Sequence, residues 1–447
     1  MILVYILVVA TVIWFGLTCV RPKNFPPGPG FLPVLGNLIY YQKRHAVLGF
    51  HHMVWLELAH KYGPIVGVKL GIVFSDGQLW KRQRKFSLQH LRSFGFGRKE
   101  MEDKIQEECK ALVESLKKRS NEPVYMHNAF DVSVLNALWA MLAGQRFEVD
   151  DERLTKLLNL IHECFRIVDM SGGLINQMPL LRYIAPSASG YNQILDVLTR
   201  MWSFLQKTID EHRNSIPSQP RDLIDAFLHS MAVKVDETFT DDQLISLCLD
   251  LFMAGAETTS NSLGFAAMYM ILYPDIQKKV QQELDEFIGK GRSPTLKDKI
   301  NLKYTQAVLL EIQRIANLAP MGIAHRAIQD TELMGYRIAK NTIVLTNLYS
   351  IHMDENAWEN PKEFRPERFL DKDGKLSVDE EHYIPFGLGK RRCLGEVLGK
   401  TNMFLYFTSI LHNFTLEPVK EFYPESRPYD GVTLAPKPFK VTLIERE

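Results

Sequence analysis

The sequence predicts a mainly α-helical protein with a small β region, behind an N-terminal apolar segment long enough to cross a membrane. Three observations predict it. Apolar residues recur at helical spacing over long stretches, most clearly Leu244 to Tyr273 and Leu394 to Phe414. Strand-like runs are short and few, at 65–70 and between Tyr336 and Leu348. Ile2 to Val20 is an almost unbroken apolar run with Thr and Gly as its soft spots. The 447 residues could fill two or three average domains, yet no linker, repeat or low-complexity tract divides them after the N-terminal region.

Composition narrows the function classes. Lys and Arg number 53 against 52 Asp and Glu, a net charge of +1, which argues against a nucleic-acid-binding protein. The five cysteines (Cys19, Cys109, Cys164, Cys248, Cys393) are odd in number and scattered. They form no disulfide framework and fit a reducing compartment.

Residues 1–20 read as a signal anchor. A cleaved signal peptide would show a basic start, a shorter apolar run and a small-residue cleavage site, and none is present. Arg21 and Lys23 follow directly, placing the body of the chain on the cytoplasmic side. Residues 21–36 contain Phe25-Pro26-Pro27-Gly28-Pro29-Gly30, a stiff, donor-poor hinge that would space a globule from the bilayer. The globular domain is expected over 37–447.

A helix at 51–62 ends at Gly63-Pro64, and a strand follows at 65–70. Ser75-Asp76-Gly77 then opens a helix containing Trp80-Lys81-Arg82-Gln83-Arg84-Lys85. Trp80 and Arg84 stand at i and i+4 on one face; alone, such a pair is an ordinary helix stripe. The basic residues around it make either a docking face for an acidic electron donor or a solvated face. From Glu100 to about Ala232 the chain reads as mostly helical, with amphipathic segments at 161–168 and 195–209 joined by a Gly/Pro/Ser-rich loop at 171–189.

Asp241-Asp242 precede the long apolar helix, which stops at Pro274 and carries Ala254-Gly255-Ala256-Glu257-Thr258-Thr259. An acid and a hydroxyl inside so apolar a helix need a reason, because burying them unpaired is costly. One reading is a positioned acid–alcohol pair for general acid catalysis. The other is Thr258 bonding back to a helix carbonyl, with Glu257 in a structural salt bridge. Further on, Glu311 and Arg314 stand at i and i+3 on a helix from Tyr304 to Ala316. His325 enters the small β region, read as strands at 336–343 and 344–348, and by itself would be a structural histidine. Leu318 to Ile323 and Gly431 to Leu434 are mainly apolar.

Pro385 to Gly395 holds one cysteine in a glycine-rich loop with basic residues before it and a helix after it. Free N–H groups at the helix start and the cationic neighbours favour thiolate over thiol at Cys393. Such a thiolate is a good axial ligand for haem iron.

Phe386, Gly389, Arg391, Cys393 and Gly395 fill the pattern Phe-x-x-Gly-x-Arg-x-Cys-x-Gly. With it, Trp80-x-x-x-Arg84, Ala254 to Thr259, Glu311-x-x-Arg314 and Pro366-Glu367-Arg368-Phe369 resemble the cytochrome P-450 monooxygenases across nearly the whole chain. The resemblance implies haem b (iron protoporphyrin IX), with Cys393 as the proximal metal ligand and Phe386 and Gly395 shaping its loop. It implies that Trp80, Arg84, His325 and Arg391 hold the haem propionates, and that Thr258 and Glu257 relay protons to dioxygen. It further implies that Glu311, Arg314 and Arg368 form a structural triad supporting the cysteine loop. By the same resemblance the helices between Glu100 and Ala232 supply a mobile roof, and 318–323 and 431–434 line a pocket for a lipophilic molecule. The expected setting is the endoplasmic reticulum membrane, with electrons from NADPH through a cytochrome reductase and a cytochrome b-type protein as a second donor. The stretch from Trp80 to Gly97 resembles insect members, including methyl farnesoate epoxidases.

The chain also departs from the family. Members place some tens of residues between the first strand and the Trp-x-x-x-Arg helix, forming a second strand, a helix and part of the pocket lid. Here only a few residues separate Gly71 from Trp80. A skipped exon or mispredicted gene explains this better than a functional shortening. The alternative functions are an impaired isoform that at most binds haem or a lipophile, and a membrane-tethered lipophile carrier.

Overall fold

The computed structural model describes residues 77–148, 151–167, 181–235 and 237–446, with Lys43, Arg44 and Val47 besides. The expected anchor, hinge, helix at 51–62, strand at 65–70 and connection at 71–76 lie outside the described residues, as do 168–180, which include 171–180 of the expected loop. Among the described residues no helix is long and apolar enough to cross a membrane.

The chain runs through α1 (Gly77–Ser93), α2 (Lys99–Lys117), β1 (Pro123–Tyr125), α3 (Asp131–Leu142) and α4 (Glu152–Ile167). Then come α5 (Leu181–Ile184), α6 (Tyr191–Arg213), α7 (Leu223–Ala232), α8 (Asp241–Leu272), α9 (Pro274–Phe287) and α10 (Lys303–Ala316). The short strands β2 (His325–Arg326), β3 (Thr331–Leu333), β4 (Tyr336–Ile338) and β5 (Ile343–Val344) precede α11 (Leu348–His352). The cysteine loop leads into α12 (Glu396–Asn413), β6 (Phe414–Pro418) and β7 (Lys440–Glu445). Helices dominate, as the patterning predicts.

α8 is the axis of the core. The Thr240 hydroxyl caps it by accepting the Gln243 N–H at 3.2 Å, and Asp241 and Asp242 sit in the first turn, where the helix dipole favours negative charge. Pro274 stops it and opens α9, whose first N–H would be unpaired anyway. α3, α6 and α12 pack around α8, with Trp139 of α3 set edge-on to Phe252 of α8 at 5.2 Å. At Gly264 an added Cβ would stand 2.9 Å from the His127 carbonyl oxygen and 3.0 Å from Pro436, so only glycine lets the chain approach α8 there.

The largest sheet is β1-β7-β6, antiparallel, with Val124 opposite Val441 and Leu416 opposite Leu443. The two expected strands at 336–348 are shorter than the pattern suggests. Asn341, at φ +69°, turns the chain after β4, and the Thr342 N–H closes on the Ala339 carbonyl at 3.1 Å. Leu348 begins a helix instead of ending a strand, because the Asn347 side chain caps it by accepting the Ser350 N–H at 3.3 Å. β2 pairs with β5, setting His325 opposite Val344.

Candidate active site

The cysteine loop is built by backbone bonds that its sequence permits. Gly387 and Gly389 both have φ near +70°, in the left-handed region that favours glycine. The fold-back lets the Cys393 N–H donate to the Phe386 carbonyl at 2.9 Å. α12 begins at Glu396, which sets the Cys393 sulfur beside the start of the helix, 3.9 Å from where a Cβ on Gly395 would stand. Desolvation by neighbouring chain pushes the thiol pKa up, against the backbone of Gly395 and Glu396 and the Arg84 charge, which pull it down; the net shift is upward. Cys393 is exposed, whereas Cys109 and Cys248 are buried. Burial holds both of those as neutral thiols, Cys248 with its pKa pushed up to about 12.

Around this loop the fold gathers residues from three distant parts of the chain. Arg84 of α1 donates to the Arg392 carbonyl at 2.7 Å. The Arg391 guanidinium lies over the Trp80 ring, 3.8 Å from its centre, and Arg84 lies 5.8 Å from the same ring. His325 is close enough to Arg391 for that charge, after desolvation, to lower its pKa. Trp80, Arg84, His325 and Arg391 therefore share one basic corner.

On α8 the two adjacent polar residues part company. The Thr258 hydroxyl donates to the Ala254 carbonyl one turn back, at 2.8 Å. Thr258 is half-buried and Ala254 exposed, so this stripe of α8 faces open space. Glu257 points the other way and is fully buried. Its Oε1 accepts from Arg166 and from Asn261, each at 2.7 Å, and its Oε2 pairs with His162 Nδ1. His162 Nε2 pairs in turn with Asp131 at 2.8 Å. Desolvation pulls the His162 imidazole pKa down, but the two carboxylates outweigh it and raise it to about 10. Opposed by burial, His162 and Arg166 still bring the Glu257 pKa below its usual value. Glu257 and Thr258, the pair the resemblance implies as a relay, thus have separate partners: the Ala254 carbonyl for Thr258, and Arg166, Asn261 and His162 for Glu257.

Glu311, Arg314 and Arg368 meet in the interior. Arg314, fully buried, grips Glu311 through Nε at 2.7 Å and Nη2 at 2.8 Å. Arg368 Nε donates to the same carboxylate at 3.0 Å. The remaining guanidinium N–H groups meet the carbonyls of His352, Pro361, Glu359 and Glu363. Two expected pocket segments also touch, the Leu434 N–H donating to the Leu318 carbonyl at 2.7 Å.

His162 and Arg166 are functional-region residues that the sequence reading did not single out. The signal for them was indirect: a carboxylate within an apolar helix requires a cation somewhere, but nothing local says where.

Comparison with known proteins follows the same lines. A cytochrome P450 family profile matches residues 69–443. The chain is 35% identical to farnesoate epoxidase of Bombyx mori, over 99% of this chain and 98% of that one. It is also 35% identical to a probable cytochrome P450 303a1 of Drosophila melanogaster (96% and 95% covered) and to cytochrome P450 2J2 of Homo sapiens (95% and 92% covered). A cysteine at a helix start beside a basic corner has the donor chemistry that a haem-thiolate site needs. The chain belongs to the cytochrome P450 family, and with it to the monooxygenases. The first of these alignments runs over 487 positions against 447 residues, so at least 40 of its positions have no residue here.

The family implies haem, and the donor set fits it. One thiol stands at the start of α12, and two guanidiniums, an indole and an imidazole stand where a dicarboxylate could be held.

Proposed function

We propose that the protein is a membrane-anchored haem-thiolate monooxygenase of a small lipophilic substrate, receiving electrons from NADPH through a cytochrome reductase at the endoplasmic reticulum. The observation that carries this is the Cys393 loop, folded back by the Cys393 N–H on the Phe386 carbonyl at the start of α12 while Arg84 ties the loop to the basic corner. Haem, when bound, supplies the activation of dioxygen and the insertion of one oxygen atom. Cys393 would ligate its iron. Phe386 and Gly395 would shape the loop, and Trp80, Arg84, His325 and Arg391 would hold its carboxylates. Thr258 would present a hydroxyl on the open stripe of α8, where it can hold or pass a proton. The Glu311–Arg314–Arg368 triad would hold the segment leading to the loop.

The likeness to a protein named farnesoate epoxidase supports a terpenoid substrate, with epoxidation of a C=C bond as the reaction. The apolar character of 318–323 and 431–434 fits such a molecule. A second reading, an impaired isoform, is favoured by the missing alignment positions alone.

The test is the reduced, carbon-monoxide-bound difference spectrum of the full-length protein. A red-shifted Soret band that Cys393→Ser abolishes is the expected result, and methyl farnesoate with reductase should then yield its epoxide. Absence of haem, or a band typical of a neutral thiol or histidine ligand, would favour the impaired isoform.

A further inference from the structure

Four ionisable side chains from three helices meet away from the open stripe of α8. Asp131 begins α3, His162 and Arg166 lie one turn apart on α4, and Glu257 is in mid-α8. The chain of contacts runs Ser260–Asp131–His162–Glu257–Arg166, with Asn261 also on Glu257. Two carboxylates face two cations, so the cluster is neutral as a whole, and each buried carboxylate has its partners. Arg166 goes further: its Nη1 donates to the Thr433 carbonyl at 2.6 Å and its Nη2 to the Thr433 hydroxyl at 3.1 Å. Beside it the Val432 N–H donates to the Phe165 carbonyl at 2.9 Å. An added Cβ at Gly431 would fall inside the van der Waals contact of that carbonyl.

We infer that His162 and Arg166 lock α4 and the C-terminal turn onto α8 through Glu257, which acts as the counter-ion of this lock and positions Thr258 instead of carrying protons itself. The inference rests on the proposed role of Thr258. Both Glu257 oxygens are occupied by donors from α4 and α8, which fixes the carboxylate away from the stripe that Thr258 shares. Helix α4, expected as part of a mobile roof, is thereby fastened along its last turns. Glu257, His162 and Arg166 are positioning residues in this account.

The experiment compares amide hydrogen exchange and the coupling of NADPH consumption to product in the full-length protein and its variants. Glu257→Gln, His162→Gln and Arg166→Gln should each raise exchange at 157–166 and 431–434 about tenfold or more, with α10 unchanged. Thr258→Ala should leave that exchange at the wild-type level while lowering coupling. His162→Gln should match Glu257→Gln in coupling, since both release the same lock. The inference is overturned if Glu257→Gln leaves exchange in α4 unchanged while lowering coupling and altering the solvent isotope effect, the behaviour of a proton carrier. Where Glu257→Gln does not fold, Arg166→Gln and Thr433→Val carry the same comparison without touching Glu257. Exchange is read whether or not haem binds, and the carbon-monoxide spectrum of the same samples judges the proposed function separately.

Discussion

At Glu311 one carboxylate accepts from two guanidiniums in the interior, and backbone carbonyls take most of their other N–H groups. Exposed ion pairs contribute little to stability, but breaking a buried one strands a charge. Glu311→Gln keeps the shape and removes the charge that Arg314 and Arg368 share. It should cost about 3–5 kcal/mol of unfolding free energy. Denaturant titration with haem content measured alongside will check this; a loss below about 1 kcal/mol would mean that the arginines are satisfied by the surrounding carbonyls alone. The Cys393 loop obeys residue-scale logic too, since Gly387 and Gly389 must adopt positive φ for the Phe386 carbonyl to reach the Cys393 N–H. That was legible in advance, because glycine at such positions has a local cause.

Between elements, two glycines decide how closely backbones approach. Gly264 admits the His127 carbonyl against α8, and Gly431 admits the Phe165 carbonyl of α4 against the C-terminal turn. Alanine at either site should cost roughly 1–3 kcal/mol, as overpacking against backbone that cannot rotate away. Gly255 is different, because its added Cβ would meet only the end of the Leu138 side chain, which can turn aside. Gly255→Ala should therefore cost less than Gly264→Ala in thermal or denaturant unfolding; the reverse order would show that Leu138 has no room to move. Element existence followed from pattern: α8 has its cap, acidic first turn and proline stop written in sequence. The β region did not, because Asn341 and Asn347 act through turn and cap geometry that outweighs a short apolar run.

For the whole molecule, half-buried His162 and fully buried His352 set opposite pH limits on stability. His162 has its pKa raised to about 10 in the fold, so the folded state binds more protons than the unfolded chain above about 6.5. Its contribution, on the order of a few kcal/mol, is complete below that pH and is lost as pH rises toward 10. Burial and, secondarily, the Arg314 charge lower His352 to about 4, and its ring nitrogen accepts the Ile384 N–H at 3.1 Å. There the unfolded chain binds the extra proton, so stability falls as pH drops from about 6.5 toward 4. Denaturation midpoints should thus decline on both sides of neutrality. His162→Gln should flatten the alkaline limb and leave the acidic one; an unchanged alkaline limb would show that His162 is not held as the imidazolium.

The sequence by itself determined the helical class, the long axial helix, the cysteine loop and the Glu311–Arg314 pair, because each is encoded within a few residues by period, cap, glycine or i, i+3 spacing. Tertiary structure alone decided which way Glu257 faces. Its cations lie 91 and 95 residues earlier in the chain, on a helix whose own pattern gives no sign of them. Pairing at that separation is set by how α3, α4 and α8 pack, and the free energy of a buried charge depends on that packing and not on its neighbours in sequence.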